Sequence, residues 1–338
     1  MKIHSVPTNI VLLCFLFPSL GWTQNAAILS EWKNYNRELH VGIGTSNFLG
    51  DLGGRNQIGS DFIWDLETSL FKPSVSVGYG KYFSPYLMFR SDINYFRLAG
   101  DDALTEEKFR HNRNLRFFSN TVDLAACAQL ILPLRSWESH RYNLRDQRGR
   151  LMGSKYKNNA FYLFGGLAFV YSEPKAKYEG HTYKLRKLHT EGQGLENGAK
   201  PYKPITLGIP VGGGFRYALD RQWILNFEIT YRFTISDYLD DVSTVYYDNA
   251  SLANNFGAVS AALADPSLGY NWGDQLDPTK AGRQRGDDTD KDGYLAIQLG
   301  VTYRIKTNPN QPHGLFSSRK GLKNKGMGKG KGVKKSLF

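Results

Sequence analysis

Trp223–Thr234 reads WILNFEITYRFT. Leu225, Phe227, Ile229, Tyr231 and Phe233 share one parity, and Asn226, Glu228, Thr230, Arg232 and Thr234 share the other. Alternate side chains of a strand point to opposite faces, so one face here is apolar and the other carries charge. A soluble sheet would bury the apolar face under a second layer. A membrane barrel would turn that face to lipid and fold the charges into its lumen.

Working outward, the same alternation recurs. It predicts strands over Glu38–Thr45, Ser74–Tyr82, Leu87–Phe96, Phe117–Leu132, Thr206–Ala218 and Gly293–Ile305. Ala160–Tyr171 (AFYLFGGLAFVY) is also a strand, but apolar on both parities, so its facing stays open. The total is about eight strands, each near the ~9–11 residues that a tilted membrane strand needs. Two connections are short, Phe83–Tyr86 and Leu219–Gln222, and the others are long. Long outer loops, short inner turns and an even strand count are the habit of bacterial barrels, which places both termini on the periplasmic side. Arg135–Asn159 is long for an inner connection. Tyr82, Phe83, Tyr86, Tyr217, Trp223 and Tyr303 gather near strand ends, as in an interfacial girdle. Leu295, Ile297, Leu299 and Val301 are expected outward on the last strand.

The expected inward face carries Arg90, Asp92, Asp123, Arg216, Glu228, Arg232 and Arg304. Charges in a sandwich core cost several kcal/mol unless paired, so seven of them argue against a sandwich. In a barrel of about eight strands, side chains fill the lumen and such charges can pair across it. The fold expected is therefore all-β: an antiparallel transmembrane β-barrel with long extracellular loops.

The N-terminus sets the compartment. Lys2, the short apolar run Ile10–Phe17, and Pro18, Ser19 and Gly21 have the anatomy of a secretory signal, too short to span a bilayer as a helix. Cleavage between Gly21 and Asn25 leaves Cys127 as the only cysteine, so burial or sheet closure, and not an intrachain disulfide, must hold the fold. Four regions follow: a signal peptide at 1–24, a periplasmic segment at 25–37, the barrel at 38–306, and a basic tail at 307–338 expected to be disordered. The tail carries Lys320, Lys323, Lys325, Lys334 and Lys335 with no acid. The inner connection adds Arg141, Arg145, Arg148 and Arg150, while Ser236–Asp292 on the outer side is acidic. Much of the net charge of +12 thus falls on the inner face. After a signal peptide the partner of such a surface is not nucleic acid. An acidic periplasmic partner fits, and a solubilising tail without a partner is the alternative.

Asp288-Thr-Asp290-Lys-Asp292-Gly293 has the carboxylate spacing of half a calcium loop, but the twelfth position is Leu299 instead of a bidentate Glu. A solvated acidic turn is the competing reading. His40 is expected on a strand, and His111, His181 and His189 in loops. No G-x-S-x-G or H-E-x-x-H occurs, so no catalytic residue or cofactor is assigned.

Gln298-Leu-Gly300-Val-Thr-Tyr303-Arg-Ile305 resembles the last-strand signal of barrels inserted by the outer-membrane assembly machinery, although it lies inside the chain. Phe227–Asp248 (FEITYRFTISDYLDDVSTVYYD), Asp290–Ile305 and Glu38–Leu52 (ELHVGIGTSNFLGDL) together resemble the PorG-type barrels of Bacteroidota. That resemblance implies an outer-membrane component of the type IX secretion system, associated with a periplasmic ring of the PorK lipoprotein and PorN. Protein secretion, and gliding motility in some members, depends on that machine. It implies no enzymatic residue and does not account for the basic tail. Outer-membrane lipid and lipopolysaccharide are the expected surroundings. A barrel enzyme acting on lipid or lipopolysaccharide, or a small passive pore, are the alternatives.

Overall fold

The computed structural model describes residues 35–52, 71–105, 107–134, 159–220, 222–270 and 277–307. Eight long strands carry the fold: β1 Arg37–Leu49, β2 Lys72–Tyr82, β3 Leu87–Asp101, β4 Arg116–Pro133, β5 Ala160–Tyr171, β8 Ile205–Ala218, β9 Trp223–Thr234 and β10 Gly293–Ile305. A short hairpin, β6 Lys175–Tyr178 and β7 His181–Lys184, lies between β5 and β8. Three short helices sit in the outer connections: α1 Lys108–Arg113, α2 Asn249–Phe256 and α3 Ala258–Ala264.

Each long strand pairs antiparallel with its chain neighbour. β1 then pairs with β10 along its full length, from Arg37 opposite Ile305 to Leu49 opposite Gly293, which closes the ring. Closure leaves no open sheet edge, so strand partners satisfy the backbone in hydrocarbon. β6 bridges to the outer end of β4 at Phe118–Lys175 and continues the sheet beyond the ring.

The two faces divide as the alternation demands. Ile43, Leu167 and Leu299 stand 65%, 65% and 64% exposed, while Asp123 and Thr230 are 0% and 2% exposed. A soluble protein would have these fractions the other way round. On β5 the parity is resolved: Phe161, Leu163, Leu167, Phe169 and Tyr171 face outward, and Tyr162, Phe164, Ala168 and Val170 face inward. Small residues opposite make room for the inward rings. A Cβ at Gly214 would collide with the Tyr162 ring, and one at Gly78 with the Asp92 carboxylate.

Several expectations change. Tyr82 is not part of the girdle, because its even parity on β2 turns it into the lumen beside Glu38. Trp223 and Tyr303 do pair at the inner rim, with centroids 4.9 Å apart, and Phe83 meets Phe89 at 5.0 Å. Beyond the lipid-facing belt the outer ends of β1 and β10 are covered on both faces, so Leu295, expected outward, is buried with Asn47 and Leu49. The connection between β5 and β8 is not plain loop but holds the β6–β7 hairpin. His181 opens β7 and His111 lies on α1, so His40 is not alone on a strand and these two are not loop histidines. The predicted signal peptide, the basic tail from residue 308, and residues 135–158 lie outside the described residues.

Ile229 stands mid-strand on the lipid side of β9. Ile229→Lys should lower stability in vesicles by about 2–4 kcal/mol, the usual cost of a cation at the bilayer midplane. Urea titration followed by tryptophan fluorescence measures this, and a change under about 0.5 kcal/mol would place that face away from lipid.

Candidate functional site

Two polar assemblies stand out, one inside the barrel and one at its outer mouth. All seven charges expected in the lumen are there, and each is buried. They form three tiers. In the middle, Arg90 grips Glu228 with both terminal nitrogens at 2.6 and 3.0 Å, and its Nε donates to Asp92 at 2.6 Å. Tyr162 Oη donates to the same Glu228 carboxylate at 2.8 Å, and the Arg90 guanidinium lies 4.5 Å from the Phe164 ring. Toward the outer end, Arg232 Nε donates to Asp123 at 2.5 Å and stacks 4.3 Å over Phe96, while Asn94 donates to the other Asp123 oxygen at 2.6 Å. Toward the inner end, Arg216 donates to Glu38 at 2.5 Å and to Tyr82 Oη at 2.7 Å. Arg304 Nε lies 3.3 Å from Glu38 as an ion pair without hydrogen-bond alignment.

Glu38 is the lumen residue that the alternation alone did not single out. The seven expected charges comprise four arginines and three acids. Adding Glu38 gives Arg90, Arg216, Arg232 and Arg304 against Glu38, Asp92, Asp123 and Glu228, a neutral set. Its position at the start of β1, on the parity of His40, was the available signal. His40 itself lies between Ser76 Oγ at 3.3 Å and Thr302 Oγ1 at 3.5 Å. A cavity of about 20 Å3 between Glu38, His40, Arg90, Gln129 and Tyr162 is the size of one water. The lumen at this level is filled.

At the mouth, polar side chains bind the outer connections into one cap. Arg285, fully buried, donates to Glu191 at 3.0 Å and to the Asp241 carbonyl at 2.6 Å. Glu191 also accepts from the Ser243 amide at 2.9 Å and from Thr244 Oγ1 at 2.7 Å. Asp241 accepts from Thr190 Oγ1 at 2.6 Å and from Tyr202 Oη. Arg113 chelates Asp102 at 2.6 and 3.0 Å and donates to the carbonyls of Asp51 and Arg285. Three further carboxylates receive backbone amides: Asp240 from Leu52 at 3.2 Å, Asp292 from Leu239 at 2.7 Å, and Asp51 from Asp287 at 2.9 Å. Leu52, Leu239, Val242 and Leu263 form the apolar floor beneath. A cleft of about 1060 Å3 opens beside the cap, with Asp51, Arg110, Arg113, Asp287 and Lys291 on its walls.

Burial sets the protonation of these acids. It raises Asp51 to about 7, opposed by the hydrogen bond from the Asp287 amide and by Arg113, with the Asp237 and Asp287 carboxylates adding to the rise. It raises Asp237 and Asp241 to about 6 each. Asp240 and Asp292 are pushed well above the carboxylate range, again by burial first and then by neighbouring carboxylates.

The half calcium loop is not assembled. Asp292 turns inward to the Leu239 amide, whereas Asp288 and Asp290 stay exposed. Among the described residues, no group of three His, Cys, Asp or Glu side chains is arranged to hold a metal ion. The break has a simple cause: β10 begins at Gly293, so the strand's inward pull takes Asp292 away from the turn. The expected basic surface, Arg141, Arg145, Arg148, Arg150, Lys320, Lys323, Lys325, Lys334 and Lys335, lies outside the described residues. Of the acids of the outer connection, anticipated only as a charge excess, Asp237, Asp240, Asp241 and Asp292 are buried in the cap, whereas Asp248, Asp277, Asp287, Asp288 and Asp290 stay exposed.

No protein-family model matches the chain, and no curated protein sequence matches it. Among solved structures it is similar to Ail, the attachment invasion locus protein of Yersinia pestis, in complex with the heparin analogue sucrose octasulfate: 8% identity, 80% of this chain and 99% of that one covered, TM-score 0.34. Neisserial surface protein A gives 8% identity, 80% and 97% coverage, and a TM-score of 0.33. OprG from Pseudomonas aeruginosa gives 9%, 81% and 98%, and 0.34. A closed ring of eight antiparallel strands, apolar outside and charged inside, with two short turns and one long connection at one end and long connections at the other, is an outer-membrane β-barrel.

Two outcomes follow. Glu38→Gln leaves Arg216 and Arg304 without their counter-charge and should cost about 3–5 kcal/mol in detergent unfolding, with part recovered by adding Arg304→Gln. A loss below about 1 kcal/mol would mean that the inner tier is not a buried ion cluster. The cap should also respond to pH. Asp51, Asp237 and Asp241 titrate higher in the folded state than in the unfolded one, so their stabilisation is complete below the unfolded value of 3.8 and is lost as pH rises through 6 to 7. Amide exchange over 236–248, corrected for intrinsic rates, should be less protected at pH 8 than at pH 5, and Asp240→Asn should shrink the difference. Greater protection at pH 8 would reverse the assignment.

Proposed function

We propose that this barrel is a non-enzymatic component of a type IX protein secretion machine, anchoring or organising a periplasmic PorK/PorN ring through its inner face. The observation that carries the reading is the filled lumen. Bidentate Arg90–Glu228 and the Arg232–Asp123 pair occupy the space through which a solute would pass, and the cavity beside the former pair holds about one water. A barrel with no path through it works through its surfaces. The resemblance of Glu38–Leu52, Phe227–Asp248 and Asp290–Ile305 to PorG-type barrels supplies the specific machine. These three stretches also meet in space: Leu52 donates to Asp240, and Leu239 donates to Asp292. A shared sequence signature drawn from distant segments is what a common cap would leave behind.

The enzyme reading finds less support. The Ser76–His40 contact, a serine beside a base, is sealed within the lumen, where no lipid substrate reaches it. His111 is engaged with Tyr270, and His189 stacks on Phe256 at 4.5 Å.

Loss of the chain from cells should abolish export of cargo bearing a C-terminal sorting domain, and normal export would end this proposal. Removing residues 308–338, beyond the Thr307–Asn36 contact that ties the two ends of the barrel, should leave insertion intact and reduce recovery of ring proteins several-fold. Unchanged recovery would take the tail out of the interface. Purified barrel in planar bilayers should give no steady conductance, whereas open channels would favour a pore.

A further inference from the structure

We propose that the outward face of β3, β4 and the β6–β7 hairpin binds the phosphorylated headgroup of an outer-leaflet glycolipid. The claim concerns the outer side and is independent of which periplasmic partner the barrel holds.

The register orders this face into rows. Tyr95, Val122 and Tyr171 lie opposite one another across β3, β4 and β5, all outward and exposed, and they form the upper edge of the apolar belt. One row higher, Arg97 stands opposite Asn120, and Asn120 accepts a hydrogen bond from Tyr95 Oη at 3.1 Å, where the surface turns polar. The next row runs Phe118, Lys175, Lys184 through the bridge from β4 to the hairpin. Arg116 and Lys177 lie beyond. Successive outward positions are about 7 Å apart along a strand, so the cations begin directly above the lipid-facing rings.

The charge is uneven. Arg97, Arg116, Lys175, Lys177, Lys184 and Arg186 face two paired carboxylates and one at the hairpin tip. Asp101 lies 3.0 Å from Arg116, Glu173 holds Lys184 at 2.6 Å and Arg186 at 3.1 Å, and Glu179 sits in the turn. The Arg97 guanidinium is steadied 5.8 Å from the Phe118 ring and remains exposed.

The hairpin is held in place rather than loose. Ala176 is buried, and Tyr178 and Tyr183 pack against the apolar core of the cap. Its other face therefore presents Lys175, Lys177 and Lys184 at fixed height. A lipid whose acyl chains lie along Tyr95, Val122 and Tyr171 brings its phosphates to Arg97 and Lys175. That continuity favours a membrane glycolipid over a free polyanion, which has no use for the apolar rows below. Cations near a membrane surface each add measurably to attraction for anionic headgroups, and the contribution fades within a Debye length.

The full mature chain in detergent can be titrated with bis-phosphorylated lipid A, with dephosphorylated lipid A, and with heparin as a soluble polyanion, using native mass spectrometry. Bis-phosphorylated lipid A should bind at least about tenfold more tightly than the dephosphorylated form. Arg97→Gln/Lys175→Gln/Lys177→Gln should remove most of that preference. Lys81→Gln, an exposed cation at the inner end of β2 and so at the opposite rim of the barrel, should keep it. Circular dichroism confirms the barrel in each variant, and the single variant Lys177→Gln, at an exposed site, carries the test if the triple variant does not fold. Equal binding of the two lipid A forms, or full preference in a folded triple variant, would overturn the proposal. Heparin displacing lipid A completely would also overturn it, assigning the surface to a soluble polyanion instead.

Discussion

Ion pairing across the lumen is the constraint on which the rest of this molecule depends. Turning the apolar parity toward lipid forces the polar parity into a narrow, nearly dry interior. A charge there is tolerable only with a partner in hydrogen-bonding geometry. The barrel meets that demand with four arginines and four acids drawn from β1, β3, β4, β8, β9 and β10. Because the partners come from opposite walls, the pairs also fix the register. A slip of one residue would send Arg90 and Glu228 into lipid and isoleucine or phenylalanine into the lumen.

Arginine is suited to this role beyond its charge. Arg90 and Arg232 each satisfy carboxylates in the plane of the guanidinium and lay its face on a ring, Phe164 in one case and Phe96 in the other. A lysine would keep the charge but lose the fork and the stacking. The aromatic residues on the inward parity are thus part of the polar network, and the glycines opposite them are what allow rings of that size inside so small a barrel.

The outer mouth obeys the same physics under a different boundary. It is in reach of water, so the fold can retain more acids than cations, with burial raising several carboxyls into the range near neutrality. Arg113 and Arg285 each join separate connections through backbone carbonyls as well as carboxylates. The result, among the described residues, is a packed cap with a hairpin splinted to its side. A filled lumen and a rigid cap both direct function to the surfaces.

The strands and their facing were legible in the sequence because a period of two survives any tertiary context when one face must be apolar throughout. Trp223–Thr234, Ala160–Tyr171 and Gly293–Ile305 begin and end where the pattern does. The alternation also named seven of the eight lumen charges. It could not name Glu38 as the balancing eighth, nor say which carboxylate meets which arginine, because pairing runs across the ring between residues more than a hundred positions apart. Nor could it take Tyr82 out of the girdle, since an aromatic at a strand end reads alike on either face. The cap was beyond reach for the same reason: its buried acids look in sequence like a solvated loop, and only closure of the barrel brings Asp51, Asp240 and Asp292 under one another's influence. Periodicity is a local property and was decided by the chain; charge balance is a sum over the closed ring, and only the tertiary structure could complete it.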